Sequence, residues 1–153
     1  MVRVMATGVF DLLHPGHVSF LREAKKLGDE LVVVVARDST AKRFKHAPIT
    51  SESSRVEMVS ALKPVDRAIL GREGDIFEIL EEIQPDVIAL GFDQAHDEAR
   101  IRKECRKRGL PHTRVVRLPK FEGDLDGTRK IVRRVADWLA LQEKLRAVEG
   151  EMK

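Results

Sequence analysis

The densest set of residues able to do chemistry lies between positions 8 and 17, read Gly-Val-Phe-Asp-Leu-Leu-His-Pro-Gly-His. His14 and His17 stand three residues apart, a spacing that puts two imidazoles on one side of a first helical turn. An imidazole N–H donates to phosphate oxygens, and the same turn adds unpaired amides and the positive end of a helix dipole. Pro15 suits the first helical position, and Gly8 and Gly16 let a ligand approach the backbone closely. Asp11 is the only acid in the stretch and is not read as a metal ligand. On these residues alone the stretch is either a phosphate cradle or a Pro-Gly turn carrying two exposed histidines.

The elements around it must hold the turn at the edge of a sheet. Residues 2–7 precede it and read as a strand; the apolar positions Val18, Leu21, Ala24 and Leu27 follow at helical spacing. Short β-branched or apolar runs at 30–36, 67–71, 86–90 and 113–118 give four more strands. Helical segments at 15–27, 51–62, 75–83 and 96–108 separate them. The alternation specifies an α/β fold: a Rossmann-like, doubly wound, mainly parallel five-stranded sheet of order 3-2-1-4-5 with helices on both faces. In that order the switch point lies beside the first strand, where ligands bind in open α/β sheets.

Three other places at the same sheet edge carry candidate residues. The longest irregular stretch, 38–50, holds Lys42, Arg43, Lys45 and His46 and is either a basic lid over phosphates or a solvated loop. Thr50 reads as the cap of the next helix, with Ser54 and Glu57 a competing capping box. Gly91 ends the fourth strand tightly, and Asp93 can accept from a ribose or an exocyclic amine, or cap the next helix. After the fifth strand come Phe121, Gly127, Thr128 and Arg129. From Ile131 the positions Val135, Trp138, Leu141 or Leu145, and Val148 keep helical spacing. They make 128–149 a C-terminal amphipathic helix expected to pack on the sheet and long enough to reach a second subunit, as in a homodimer.

Composition bounds the classes. The 153 residues carry 28 Lys plus Arg against 25 Asp plus Glu, a balance that suits anionic ligands without demanding them. Basic residues without interleaved aromatics do not read as a nucleic-acid surface. A single cysteine, Cys105, excludes an internal disulfide and favours a reducing, cytoplasmic setting. Nothing reads as a signal peptide or a membrane span, so no membrane partner is expected.

The decapeptide resembles the phosphate-binding signature of the cytidylyltransferase-like nucleotidyltransferases, with Gly8, Phe10, Asp11, His14, Gly16 and His17 all in register. Further runs, Val35-Ala36-Arg37-Asp38, Glu57-Met58-Val59, Ala68-Ile69-Leu70-Gly71 and Leu90-Gly91-Phe92-Asp93-Gln94, resemble the archaeal type of FAD synthase across roughly residues 1 to 118. The resemblance implies a single nucleotidyltransferase domain over 1–153, joining the AMP part of ATP to FMN with release of pyrophosphate. It implies a divalent cation held mainly through the substrate phosphates, with no metal ligands on the protein. His14 and His17 then donate to the triphosphate, while Val9, Phe10, Pro15 and Gly16 complete the cradle. Lys42, Lys45 and Arg55 neutralise phosphates, although Arg55 equally suits a pairing with a nearby carboxylate. Asp93 and Phe121 meet the nucleoside, Phe121 by stacking on base or flavin. Thr128 and Arg129 stand where the family places a Ser/Thr-rich phosphate-binding helix start, which this chain has in altered form. The competing readings are a glycerol-3-phosphate cytidylyltransferase-like enzyme, a sugar-phosphate adenylyltransferase, and a non-catalytic nucleotide sensor.

Overall fold

A computed structural model describes residues 1–44 and 47–152. Five strands, β1 (Arg3–Gly8), β2 (Glu30–Val35), β3 (Arg67–Leu70), β4 (Val87–Leu90) and β5 (Arg114–Arg117), form one parallel sheet in the order β3-β2-β1-β4-β5. This is the order read from the sequence. β1 pairs in register with β2 from Arg3 opposite Glu30 to Gly8 opposite Val35, so both strands end at the same edge.

Alternate residues of the strands enter two separate cores, which is why β2 is apolar almost throughout. Val4, Ala6, Leu31, Val33 and Val35 pack with Leu21 and Ala24 of α1 (Pro15–Lys25) and Val59 of a helix over Glu52–Ser60. Met5, Val32, Val34, Ile88 and Leu90 face the other way. There they meet Ile79, Leu80 and Ile83 of a short helix at Ile79–Ile83, and Ile101 and Cys105 of one at Glu98–Lys107.

The stretch read as irregular is partly helical: α2 covers Asp38–Phe44. No apolar periodicity announces it, but Asp38 in its first turn and Lys42 and Arg43 in its last complement the helix dipole, and Ala41 is buried beneath it. The helix at Glu52–Ser60, α3, is capped by Ser51, whose hydroxyl accepts from the Ser54 amide, not by Thr50. The helix expected over 75–83 divides into a 3-10 turn at Ile76–Glu78 and α4 at Ile79–Ile83, ended by Gln84 at φ 51°. The helix at Glu98–Lys107, α5, is capped by Asp97, so Asp93 is not its cap.

The last helix, α6, spans Thr128–Glu151. It does not pack on the sheet as expected: none of its residues is buried, and both faces of the central strands are already covered by the other helices.

Candidate active site

The edge where β1, β2 and β4 end carries the 8–17 turn. Phe10 and Leu12 both adopt positive φ, 55° and 49°, a left-handed conformation uncommon for side chains of this bulk. The strain turns the Phe10 ring under Gly8, where an added Cβ would lie 2.9 Å from it. The same ring meets His17 edge-on at 5.4 Å. Phe10 is buried, so its part in the cradle is to support the turn from below while its backbone lines it.

His14 is the N-cap of α1, and its Nδ1 accepts from the Gly16 amide at 3.1 Å. His17 Nδ1 accepts from the His14 amide at 3.3 Å, closing a reciprocal capping box. The rings stack at 3.7 Å between centroids. With each Nδ1 used as an acceptor, the donating nitrogen of each ring is Nε2. Burial pushes the His14 pKa below the usual histidine value, and the Asp126 carboxylate opposes this only in part. His14 is therefore a neutral donor at physiological pH. Pro15 occupies the first helical position, exposed. The Gly16 amide, expected as an open donor, is engaged by His14. What requires glycine there is the Asp126 carbonyl, which would lie 2.8 Å from an added Cβ.

Asp11 is a hub. Its carboxylate accepts from the Ile49 amide (2.8 Å), the Thr50 amide (3.0 Å) and the Thr50 hydroxyl (2.7 Å). Its carbonyl accepts from the Thr128 hydroxyl at 3.0 Å. Burial by itself raises the Asp11 pKa, but the Thr50 hydroxyl, the two amides and the Arg55 charge outweigh it and hold the carboxyl below the usual aspartate value. The turn is thus tied both to the start of α3 and to the start of α6.

Arg55 lies buried in α3, only 1% exposed, with its guanidinium inside the loops. It donates to the carbonyls of Thr50 (3.1 Å), Val9 (2.8 Å) and Ala36 (2.7 Å), and pairs with Asp38 at 2.6 Å. Of the two roles read for it, the carboxylate pairing is the one the structure displays. Val9 accordingly presents its carbonyl to Arg55. Lys42 is exposed on α2 at the same edge, and Lys45 lies outside the described residues.

On the other side of β1, Gln94 bridges β4 to β1. Its Oε1 accepts from the Gly91 amide at 2.7 Å and its Nε2 donates to the Thr7 carbonyl at 2.9 Å. Asp93 beside it is exposed. Arg117, at the end of β5, gathers the 91–97 loop by donating to the carbonyls of Gly91 (2.8 Å), Gln94 (3.0 Å) and His96 (3.0 Å), and pairs with Glu98 at 2.9 Å. Phe121 is 37% exposed on the following segment, next to Gly123, and Phe92 is exposed with the Lys120 ammonium 5.5 Å from its ring centre.

The first turn of α6 completes the edge. Its N-cap, Gly127, makes no side-chain cap, Arg129 is exposed, and Lys130 pairs with Asp126 at 2.5 Å. The Thr128 hydroxyl proton is directed to Asp11, so Thr128 anchors the helix in this state. Reading the sequence missed Arg117 and Asp126, for neither of which is there a local signal, and placed Gln94 in a family-like run without its bridging role.

The edge therefore presents two imidazole donors and the uncapped start of a long helix, flanked by loops stapled from inside. The cytidylyltransferase-like family model matches residues 5–134. The chain belongs to that family. The FAD synthase of Aciduliprofundum boonei is 62% identical over 138 residues, covering 90% of this chain and 92% of that one. The FAD synthase of Archaeoglobus profundus is 57% identical, with 90% and 88% covered. A crystal structure described as a lipopolysaccharide core biosynthesis protein of Thermoplasma volcanium superposes with a TM-score of 0.76 at 55% identity, covering 80% of this chain and 99% of that one. The family match spans the whole edge, from β1 to the first turns of α6.

The donor set does not fit a resident metal. Among the described residues no three His, Cys, Asp or Glu side chains gather, and both Asp11 oxygens already accept hydrogen bonds.

Proposed function

We propose that the chain is an FAD synthase, joining FMN to the AMP part of ATP. An FMN phosphate oxygen attacks the α-phosphorus of ATP in line. The new P–O bond forms as the bond to the bridging oxygen of the β-phosphate breaks, and pyrophosphate leaves with that electron pair. A phosphate monoester has its second pKa near ~6 and is largely dianionic at neutral pH, so no general base is required. The protein's task is orientation and stabilisation of charge on the departing phosphates.

The observation that carries this reading is the stacked His14–His17 pair with both Nδ1 atoms held by backbone amides. Its Nε2 protons are preset as donors before any ligand arrives, and they stand on a helix N-terminus that already favours anions. The α6 start, with Thr128 and Arg129, faces the outer phosphates. Asp93 and Phe121 meet the nucleoside. Lys42 approaches the phosphates from the β2 side, and Lys45 is read as a second charge for them. ATP enters as its divalent-cation complex, the ion travelling with the phosphates as part of the substrate. Such a chain works in the cytoplasm, beside its two soluble substrates.

A second reading is transfer onto another small phosphate ester, since the similar Thermoplasma volcanium structure is described as a lipopolysaccharide core biosynthesis protein. Incubation with ATP or CTP, each paired with FMN or glycerol 3-phosphate, separates the readings by the product formed. ATP with FMN should give FAD and pyrophosphate; turnover only with another pair rejects FAD synthesis, and nucleotide binding without any turnover indicates a sensor. His14→Asn keeps an N-cap but loses the imidazole donor, and His17→Ala loses its partner. Each should lower kcat by about 100-fold or more with folding retained. Wild-type turnover in either variant removes the histidines from the chemistry.

A further inference from the structure

We infer that the cleft between α2 and the loop after β3, lined by Ser39, Thr40, Arg43, Glu73 and Gly74, takes the polar end of the FMN acceptor, its pyrimidine edge and ribityl hydroxyls. This placement rests on the FAD synthase reading above and adds to it where the acceptor lies. Gly8 pairs with Val35 and Val35 with Leu70, so β1, β2 and β3 end level. The loop after β3 therefore rises from the same edge as the His14–His17 turn. The walls of the cleft are tied together. Arg37, just past β2, donates to the Gly71 carbonyl at 2.7 Å and pairs with Glu52 at 3.1 Å, while Arg55 holds Asp38 at the start of α2. The mouth stays open at Gly74, which adopts φ 80° and would set an added Cβ in free space.

Position, size and chemistry identify the occupant. In-line transfer needs the attacking oxygen opposite the departing pyrophosphate. With the nucleoside beyond β4 and the outer phosphates at the start of α6, the acceptor is left the β2–β3 side. Neighbouring strands lie ~4.8 Å apart, so a cleft between the ends of β2 and β3 stands about 7 Å from the end of β1. An extended ribityl chain bridges that span, from a phosphate at the turn to a ring in the cleft. The cavity of about 250 Å³ is smaller than the ~300–1,000 Å³ of whole-ligand pockets, so it holds one end of FMN and not all of it. Every side chain lining it is polar. Ser39 and Thr40 offer hydroxyls, Arg43 a donor for a ring carbonyl, and Glu73 an acceptor for the ring imide N–H. The Glu73 carboxylate also repels a phosphate, which sets the acceptor's phosphate end toward ATP.

Flavin fluorescence tests this on the full chain, by titrating FMN with the nucleotide site held by α,β-methylene-ATP, which cannot release pyrophosphate. Ser39 is exposed, so Ser39→Trp fills the cleft without disturbing a core. It should weaken FMN binding by about tenfold and raise KM for FMN alike, with ATP affinity and the melting curve unchanged. Wild type should bind FMN methylated at the imide nitrogen more weakly than FMN itself, and Glu73→Ala should bind the two alike. This second variant and its probe carry the test if Ser39→Trp does not fold. A chain that makes FAD while both variants keep wild-type affinity for FMN overturns the cleft and leaves the reaction standing. So does an equal loss of FMN and ATP affinity in both variants. A wild-type chain that forms no FAD from ATP and FMN overturns the reaction first, and the occupant of the cleft with it.

Discussion

Two arginines hold the two flanks of the candidate site, and they do so at opposite levels of burial. Arg55 reaches up from α3 and collects the carbonyls of Thr50, Val9 and Ala36 with the Asp38 carboxylate, 1% exposed. Arg117 reaches across from β5 and collects the carbonyls of Gly91, Gln94 and His96 with Glu98, its side chain 31% exposed. The planar guanidinium suits both places because its donors diverge toward several acceptors at once. Burial decides what each is for. Arg55 holds together the strained turn, the end of β2 and the start of α3, so it belongs to the frame that holds the His14–His17 turn. Arg117 shapes one loop that water can also reach, so it sets the position of the segment that carries Asp93.

The largest expected effect breaks the buried flank. Arg55→Ala leaves three loop carbonyls and the Asp38 carboxylate without their donor. It should reduce unfolding free energy by about 3–5 kcal/mol, read from the urea midpoint. Arg55→Lys should recover little, since one ammonium cannot span acceptors on three segments. Turnover should fall with the fold. The opposite pattern, unchanged stability with weakened ATP binding, would make Arg55 a phosphate contact after all and dissolve the contrast with Arg117.

This division explains what the sequence made legible. The five strands, their order and the His14–His17 turn could be read because each rests on a short local pattern: β-branched runs, helical spacing, a Pro-Gly pair between histidines. α2 could not, because Ser-Thr-Ala-Lys-Arg-Phe has no apolar period and owes its helix to end charges and to Ala41 beneath. Arg55 and Arg117 look in sequence like any surface arginine; only the fold shows that one is enclosed by carbonyls from three segments. Asp126 stands 112 positions from His14 and reaches it through the anchoring of Thr128 to Asp11. α6 was legible as an amphipathic helix, but amphipathicity says that a face is covered, not by what.

An intermediate effect tests the exposed flank. Arg117→Ala should cost about 1 kcal/mol or less in stability, because its partners exchange it for water. Release of the 91–97 loop should raise KM for ATP by about tenfold with kcat nearly unchanged, since the histidines and α6 stay in place. A stability loss matching that of Arg55→Ala would show that exposure does not separate the two staples.

The smallest effect lies between the flanks, at His14. Burial lowers its pKa in the folded chain, while the Asp126 carboxylate pulls it back up. Between the folded value and the unfolded value of 6.5, the unfolded chain holds the extra proton. The contribution of His14 to stability is therefore complete above 6.5 and declines as pH falls from there to the folded value. Protonation of Nδ1 would also remove the acceptor for the Gly16 amide, so the cap and the donor geometry fail together. An NMR titration of the His14 ring should give a midpoint below 6.5. Asp126→Asn should move it lower still by removing the opposing charge. A midpoint above neutral pH would mean that the ring is largely charged when ATP arrives. His14 would then act by net charge, like exposed Lys42 beside it, and not as a neutral donor fixed in advance.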